Sequence, residues 1–336
     1  MLTPEVVVAA AVASAEVIRF VFSVEDLART RFAISPMWEA VRSLVALQDP
    51  SSAALHLPWL RSLSGRLGGL ALERVVALIP QRGYMPDSLT PPPSGPLGRI
   101  DDDLDALRRT PLKQIRHDIE LFGAQHRRSR ISDAWLEHPR REVRRLADAV
   151  EAFWNRGIEP AWPRIQAFLD ADIAHRARRL AQGGPVGLFA DLHPGVAWIA
   201  DHLDVVSDRE ATIELDGRGL VLLPSAFQWA RPATIELAPW QPTLIYPARG
   251  IATLWDEGTG ASGGLVRLLG ATRASILVAL AAPRSTADIA QLLSISPAGA
   301  SHHLTTLRDA GLASARREGR SVLDVRTATG DALARG

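Results

Sequence analysis

The chain has 336 residues, 47% of them hydrophobic, so its length predicts two or three domains and its composition supplies apolar side chains for their cores. It contains no cysteine, which excludes disulfide frameworks, thiolate zinc sites and cysteine nucleophiles. The net charge of +1 hides an asymmetry, because residues 265–336 carry nine arginines and five acidic residues, giving +4, and the remainder carries −3. This asymmetry favours a phosphate-bearing partner for the last part of the chain.

The first residues predict no targeting segment. An apolar run over residues 6–15 follows the acidic Glu5, whereas a secretory signal begins with basic residues. No uncharged stretch reaches the roughly 18 residues of a membrane span. We therefore expect a cytoplasmic protein with no membrane contact.

Helical patterns dominate residues 1–182, which we predict to form a mostly helical N-terminal domain. Residues 86–96 (PDSLTPPPSGP) cannot hold a helix and indicate a loop or linker within it. Short β-rich runs separated by glycine and proline follow, beginning with residues 186–189. They predict a small β-rich subdomain over residues 183–255, packed on the helical domain, with a hairpin at Asp216-Gly217. The glycine-rich residues 256–264 indicate a linker, and residues 265–336 form the last predicted domain.

The predicted fold class is mainly α with a small antiparallel β region, that is, α+β. Basic side chains cluster within the helical part at Arg140, Arg141, Arg144 and Arg145. Such a run is typical of a solvated helix face, and contact with flanking DNA is the alternative interpretation.

Two short helices are predicted in the last domain. Ile289, Leu292 and Leu293 recur at helical spacing, and the pattern then breaks. Ser296-Pro297 starts a second helix, since a serine oxygen caps free backbone amides and proline is tolerated at the first helical position. Two helices joined by a tight turn form a helix-turn-helix.

The second of these helices has a defined inner face. Ala300, Leu304 and Leu307 share one side, and Gly311 ends the helix as a C-cap. Two strands follow, over residues 312–317 and 321–326, joined at Glu318-Gly319. A helix-turn-helix followed by an arginine-tipped hairpin is a winged helix, whose helix enters a major groove and whose wing reaches phosphates or a minor groove.

Three runs in this region resemble ArsR-type winged-helix transcription regulators. They are Ser301-His302-His303-Leu304, Leu307-Arg308-Asp309-Ala310-Gly311-Leu312 and Arg317-Glu318-Gly319-Arg320-Ser321. The resemblance covers residues 265–335. It implies a homodimeric, sequence-specific DNA-binding protein, usually a repressor controlled by a small effector, with a double-stranded operator as its partner.

A second resemblance lies near the start of the chain. The run RFAISPMWEAVRSLVAL, with HLPWL at residues 56–60, resembles an uncharacterised domain found ahead of such winged helices. This resemblance implies an association with regulation and no particular chemistry. We expect the N-terminal part to assemble the dimer or to sense an unknown effector.

Helical geometry selects candidate DNA contacts. If Ala300, Leu304 and Leu307 face the core, the outer side presents hydrogen-bonding groups to base edges or phosphates. His303 lies at the border, which favours a packing or phosphate role over metal binding. The full set of candidate contacts is Ser296, Ala298, Ser301, His302, Thr305, Arg308, Arg316, Arg317 and Arg320.

Metal sensing is not expected, because the chain has no thiolate and the tail after Arg326 offers only Asp331 as a ligand. No cofactor is expected either. The nine tryptophans fit plain core packing, and the alternative is an apolar effector pocket with Trp198, Trp229 and Trp240 as the first candidates.

Other functions stay open at this point. One is a constitutive DNA-binding regulator without a ligand, in which the N-terminal part only dimerises. Another is an enzyme fused to a DNA-binding tail, which the lack of any familiar catalytic motif disfavours. The weak His/Asp cluster between Asp191 and Asp204 is interpreted as surface capping rather than as a metal or acid–base site. We therefore expect a regulator and not an enzyme.

Overall fold

The structure is a computed structural model, and it describes residues 16–48, 54–80, 83–126, 130–228, 231–255, 265, 268–281, 283–293, 295–318 and 321–335. The chain divides into two compact units, Met1–Ala248 and Arg249–Gly336. Each unit has a hydrophobic core of its own.

Helices make up most of the first unit. The α-helices lie between Val24 and Phe189. Short 3₁₀ turns lie at Ala54–His56, Asp87–Leu89 and Glu159–Ala161. A π-helical turn at Trp154–Ile158 extends one of them. The α-helices are α1 (Val24–Arg29), α2 (Pro36–Gln48), α3 (Leu57–Ser62), α4 (Glu73–Val76), α5 (Ile100–Arg109), α6 (Leu112–Gln125), α7 (Arg130–Glu137), α8 (Pro139–Phe153) and α9 (Trp162–Phe189).

Helix α9 is longer than the sequence predicts. Gly184 breaks its regular geometry with a φ of 59°, and Pro185 follows, yet helical structure resumes and ends at Phe189. The prediction of a strand over residues 186–189 is therefore wrong. A proline is compatible with the first turn of a helix, so Gly184 ends the first segment of α9 and Pro185 begins a second, short segment that runs to Phe189.

The strands of the first unit form two four-stranded sheets. In one the order is β3-β4-β1-β5, and in the other it is β2-β6-β8-β7. Both sheets mix parallel and antiparallel pairs, because β1 runs parallel to β5, and β6 runs parallel to β2 and β8. The strands are β1 (Val17–Val21), β2 (Arg31–Phe32), β3 (Val196–Ile199), β4 (His202–Val206), β5 (Ala211–Glu214), β6 (Val221–Ser225), β7 (Ala233–Ile235) and β8 (Thr243–Pro247).

Two expectations about this region need correction. The sheets are mixed rather than purely antiparallel. Asp216 and Gly217 do adopt the positive φ values of a tight turn, 52° and 74°. The predicted hairpin is nevertheless absent, because β5 and β6 on either side of this turn belong to different sheets.

The main core of the first unit lies between these sheets and the end of α9. Side chains from both sheets, such as Phe20 and Leu222, pack with Phe189 and Tyr246. Strands β6 and β8 are buried at every position, as parallel strands covered on both faces are. A smaller cluster joins Trp38 of α2 to Leu223, Ile235 and Ile245. Residues 86–96 run irregularly around one 3₁₀ turn, and Asp87, Ser88 and Leu89 are buried there.

The second unit contains the predicted helix-turn-helix and hairpin. Its core combines side chains such as Leu277, Ile289, Leu304 and Leu312. The observed α+β class with a helix-turn-helix and an antiparallel strand pair confirms the predicted fold class. Its elements are a 3₁₀ turn (Ile251–Thr253), α10 (Ala271–Ala279), α11 (Thr286–Leu292), α12 (Pro297–Asp309), β9 (Ala313–Glu318), β10 (Ser321–Arg326) and α13 (Ala328–Arg335).

The first unit buries carboxyl groups that favour their protonated form. Glu39 on α2 is fully buried, and its carboxylate accepts hydrogen bonds from the backbone N–H of Ala226 at 3.1 and 3.3 Å. Burial raises the pKa of Glu39 to about 8 and that of Asp103 to about 7. Burial also raises the pKa of Asp87, with the nearby Asp118 as the next contribution.

These shifts predict that the first unit loses stability as the pH rises. The folded protein retains protons on these carboxyls that the unfolded chain releases above pH of about 4. The stabilising contribution of these carboxyls should therefore be greatest below that value and be lost between about pH 4 and pH 8, by an amount on the order of 5 kcal/mol for Glu39. Glu39→Gln mimics the protonated group and should flatten the decline.

Urea unfolding followed by tryptophan fluorescence tests this, because eight of the nine tryptophans lie in the first unit. The control is Glu120→Gln, which removes an exposed carboxyl from α6. A pH dependence that is the same in the wild type and in Glu39→Gln would contradict the prediction.

Candidate nucleic-acid interface

Helix α11 supports the interface from inside the second unit. It begins with a capping box, in which the Ser285 side chain accepts a hydrogen bond from the N–H of Asp288 and the Asp288 carboxylate accepts one from the N–H of Ser285. Two of the backbone N–H groups at this end are thus satisfied. Ile289 and Leu292 are buried, so the helix presents its apolar face to the core.

Helix α12 has the predicted start, inner face and end. The Ser296 hydroxyl accepts a hydrogen bond from the N–H of Gly299 at 3.0 Å, with Pro297 at the first helical position. Gly311 follows the helix with a φ of 69°, the left-handed geometry that glycine adopts without strain. Three side chains hold the helix on the core, since Ala300, Leu304 and Leu307 are each no more than 1% exposed.

The opposite side of α12 is exposed. Ala298, Ser301, His302 and Thr305 all face away from the core, and three of them carry hydrogen-bonding side chains. Helical geometry therefore gathers these four candidate residues on one accessible face. Whether they contact DNA stays a prediction.

His303 lies beside this face and is half-buried. Burial lowers its pKa, followed by smaller contributions from His302 and Arg273. The lowered pKa favours the neutral form of the His303 ring. The ring centroids of His302 and His303 are 5.6 Å apart. This placement agrees with a border position between core and interface.

The hairpin β9–β10 forms the wing. Its strands pair antiparallel, with Arg316 opposite Leu323 and Arg317 opposite Val322. Arg316 and Arg317 are exposed, and as neighbours on a strand they point to opposite faces of the hairpin. The predicted contact Arg320 lies outside the described residues.

Arg308 differs from its expected role as a DNA contact. Its guanidinium donates two hydrogen bonds to the Asp324 carboxylate, at 2.6 and 2.8 Å, and these bonds raise the pKa of Arg308. Asp324 is fully buried, on the inner side of strand β10. Because its guanidinium donates both hydrogen bonds to this carboxylate, Arg308 links the end of α12 to the wing.

Asp324 also links the wing to the segment before α11. Its backbone N–H donates to the carbonyl of Arg284 at 2.7 Å, and its carbonyl accepts from the N–H of Arg284 at 3.0 Å. One residue thus joins helix α12, strand β10 and the entry to α11. The sequence contained a signal for this role, namely a single acid inside the apolar strand SVLDVR, where burial demands a partner.

Comparisons with known proteins agree with this geometry. A family profile described as a helix-turn-helix domain matches residues 268–314. The second unit carries a helix-turn-helix domain. The match supports a DNA-binding transcription regulator, a class that is usually non-enzymatic.

A second profile, described as a family of unknown function (DUF5937), matches residues 116–252. The protein thus combines a helix-turn-helix domain with a DUF5937 region that precedes it. No curated protein and no solved structure matches the chain.

The three tryptophans proposed for an effector pocket are not gathered in one place. Trp198 stacks on Phe189 with ring centroids 5.3 Å apart and belongs to the main core of the first unit. Trp240 packs with Trp38 in the smaller cluster. Trp229 lies outside the described residues.

The weak His/Asp cluster serves local structure. Asp204 receives two hydrogen bonds from Arg19, and Asp191 receives one from the buried Arg176. His193 accepts a hydrogen bond from the N–H of Gly195. In the part of the chain that the structure describes, no three histidine or acidic side chains are placed to hold a metal ion, and no helix is long and apolar enough to cross a membrane.

The Arg308–Asp324 contact predicts a localised loss of stability. Asp324→Asn keeps the size of the side chain but removes its charge and one of its two acceptor oxygens. Arg308 then has no opposite charge beside it, and the second unit should lose about 3 kcal/mol. Hydrogen exchange of the backbone amides in α12, β9 and β10 measures this. The control is Asp309→Asn, which removes a neighbouring exposed charge and should leave exchange unchanged. Equal exchange in both variants would contradict the assignment.

Proposed function

We propose that this protein is a sequence-specific, DNA-binding transcription regulator of the ArsR type that acts as a homodimeric repressor. The observation that carries this proposal is the exposed polar face of α12, held by a buried apolar face and followed by an arginine-bearing wing. The net charge of +4 over residues 265–336 adds the attraction for phosphate that such a surface needs.

The roles of the candidate residues follow from their positions. Ser301, His302 and Thr305 read base edges in a major groove, because they project from the exposed side of α12. Ser296 and Ala298 lie at the start of that helix, next to the DNA phosphate backbone that borders the major groove. Arg316 and Arg317, with Arg320, contact phosphates from the wing.

Arg308 acts as a positioning residue rather than as a DNA contact. Its two hydrogen bonds to Asp324 hold the wing against the end of α12. In a homodimer, two copies of this surface read half-sites about 10 base pairs apart. We assign dimer assembly or the sensing of a non-metal effector to the first unit.

The deciding experiment measures binding to an operator. Fluorescence anisotropy follows a labelled duplex from upstream of this protein's own gene, at two salt concentrations and with unrelated DNA as competitor. The variant Arg316→Ala/Arg317→Ala should bind every sequence about tenfold more weakly and show a smaller salt dependence, since phosphate contacts carry no sequence information. Arg178→Ala, an exposed arginine on α9, is the matched control.

Two results would contradict the proposal. One is a wild-type affinity for the upstream duplex no higher than for the competitor, combined with no enrichment of any fragment in a genome-wide selection. The other is a wild-type affinity that does not change with salt. Moving the two half-sites apart by half a helical turn should abolish tight binding if the protein binds as a dimer.

The exposed face of α12 predicts a different kind of variant effect. Thr305→Val removes a hydroxyl while keeping the shape of the side chain, so it should change base preference at one position, by about 1–3 kcal/mol. Affinities for a panel of single-base operator variants measure this. Thr306→Val is the matched control, because the Thr306 hydroxyl already donates to the carbonyl of His302 within the helix. The same preference profile in both variants would exclude Thr305 from base contact.

A further inference from the structure

A basic depression lies on the surface of the first unit, where α5 ends and where α6 and α8 begin. It consists of two adjoining grooves with volumes of about 460 and 350 Å³, and both are lined by Leu112 and Arg140. The larger groove extends along the end of α5, and the smaller one extends toward His138. The arginines that line them are Arg108, Arg109, Arg116, Arg140, Arg141 and Arg144.

Much of this positive charge is not compensated. Among the described residues, no acidic side chain lines either groove. Arg108 contacts the carboxylate of Glu151 at 3.2 Å, and Arg141 contacts that of Glu142 at 3.1 Å. Arg116, Arg140 and Arg144 are exposed and form no ion pair with any residue that the structure describes. Three guanidinium groups thus face one depression without a carboxylate partner, and an anionic ligand would supply the missing negative charge.

Two helix N-termini add to this positive potential. Helix α6 and helix α8 both begin at the grooves, and their cap residues, Pro111 and His138, make no side-chain hydrogen bond to the first turn. The free backbone N–H groups of a first helical turn carry partial positive charge and bind phosphate oxygens. In α8 only the N–H of Arg140 is left for a ligand, because Pro139 has no N–H and the N–H of Arg141 donates to the carbonyl of His138 at 3.0 Å. The positive ends of both helices still add to the charge of the arginines that line the depression.

We propose that these adjoining grooves bind a small polyanion with two phosphate groups, one in each groove. The two volumes are on the scale of small-ligand sites. The planar fork of arginine matches the geometry of phosphate oxygens. Among the described residues that line the grooves, His138 is the one aromatic side chain, whereas six are arginines, so charge is the main feature by which the site would recognise a ligand.

A small ligand fits this site better than a DNA backbone does. The arginine-lined surface is short, and the buried apolar side chains of Ile115, Pro139 and Val143 also line it. A duplex instead needs a surface that follows successive phosphates. The site goes beyond the proposed function, because it lies in the first unit and its occupancy does not require DNA.

Equilibrium dialysis of the full chain with radiolabelled pyrophosphate tests the proposal, at physiological ionic strength and in a buffer free of phosphate and sulfate. The wild type should bind one pyrophosphate per chain. Arg140→Ala/Arg144→Ala should weaken binding about tenfold or more, since each arginine supplies charge-assisted hydrogen bonds. Arg109→Ala, in the larger groove, should weaken it as well, whereas Arg178→Ala is the matched control and should bind as the wild type does.

The variants replace exposed side chains, so their melting temperatures without ligand should match that of the wild type, which circular dichroism checks. Pyrophosphate binding that is absent, or unchanged in Arg140→Ala/Arg144→Ala, would overturn the proposal. Orthophosphate bound as tightly as pyrophosphate would overturn the assignment of two phosphate groups. Binding of nonspecific duplex through Arg140 and Arg144, without pyrophosphate binding, would show a DNA contact instead. None of these results depends on whether the helix-turn-helix binds an operator.

Discussion

The surface formed by the second unit depends on one buried charge. Asp324 has no contact with solvent, and a carboxylate in that position is stable only when hydrogen bonds and an opposite charge compensate it. Arg308 provides both through two hydrogen bonds from the end of α12. The backbone of Asp324 pairs with Arg284, so the same residue also fixes the entry to α11. The angle between the exposed helix and the wing is therefore set from the inside of the unit.

Local patterns in the sequence were sufficient to predict α12. The spacing of Ala300, Leu304 and Leu307 determines which side of this helix is buried, and Ser296 and Gly311 mark its ends. Those signals act within one helix, so no tertiary information is required. The role of Arg308 could not be predicted in the same way, because its partner lies 16 positions further along the chain, on a strand whose inner side is known only after folding.

Strand pairing in the first unit is even harder to predict from local sequence patterns. Asp216-Gly217 has the backbone geometry that its residue types favour, but local turn chemistry does not determine which strands pair. Gly184-Pro185 likewise indicates a break, and only packing of Leu188 and Phe189 in the core decides that a helix follows it. The arginines of α8 are visible in the sequence as a charge run. Their convergence with the end of α5 and the start of α6 requires the folded chain.

The position of β1 has a consequence for synthesis of the protein on the ribosome. This strand emerges before both of its neighbours, β4 and β5, which come much later in the chain, and Arg19 and Asp204 are 185 positions apart. The nascent chain must therefore carry Ile18 and Phe20 without their final partners until most of the first unit has been translated. Such an apolar, unpaired strand is the kind of segment that chaperones protect. In the helix-turn-helix, the described core residues lie within a shorter stretch of the sequence, from Leu265 to Leu333, so fewer residues must be translated before they can pack together.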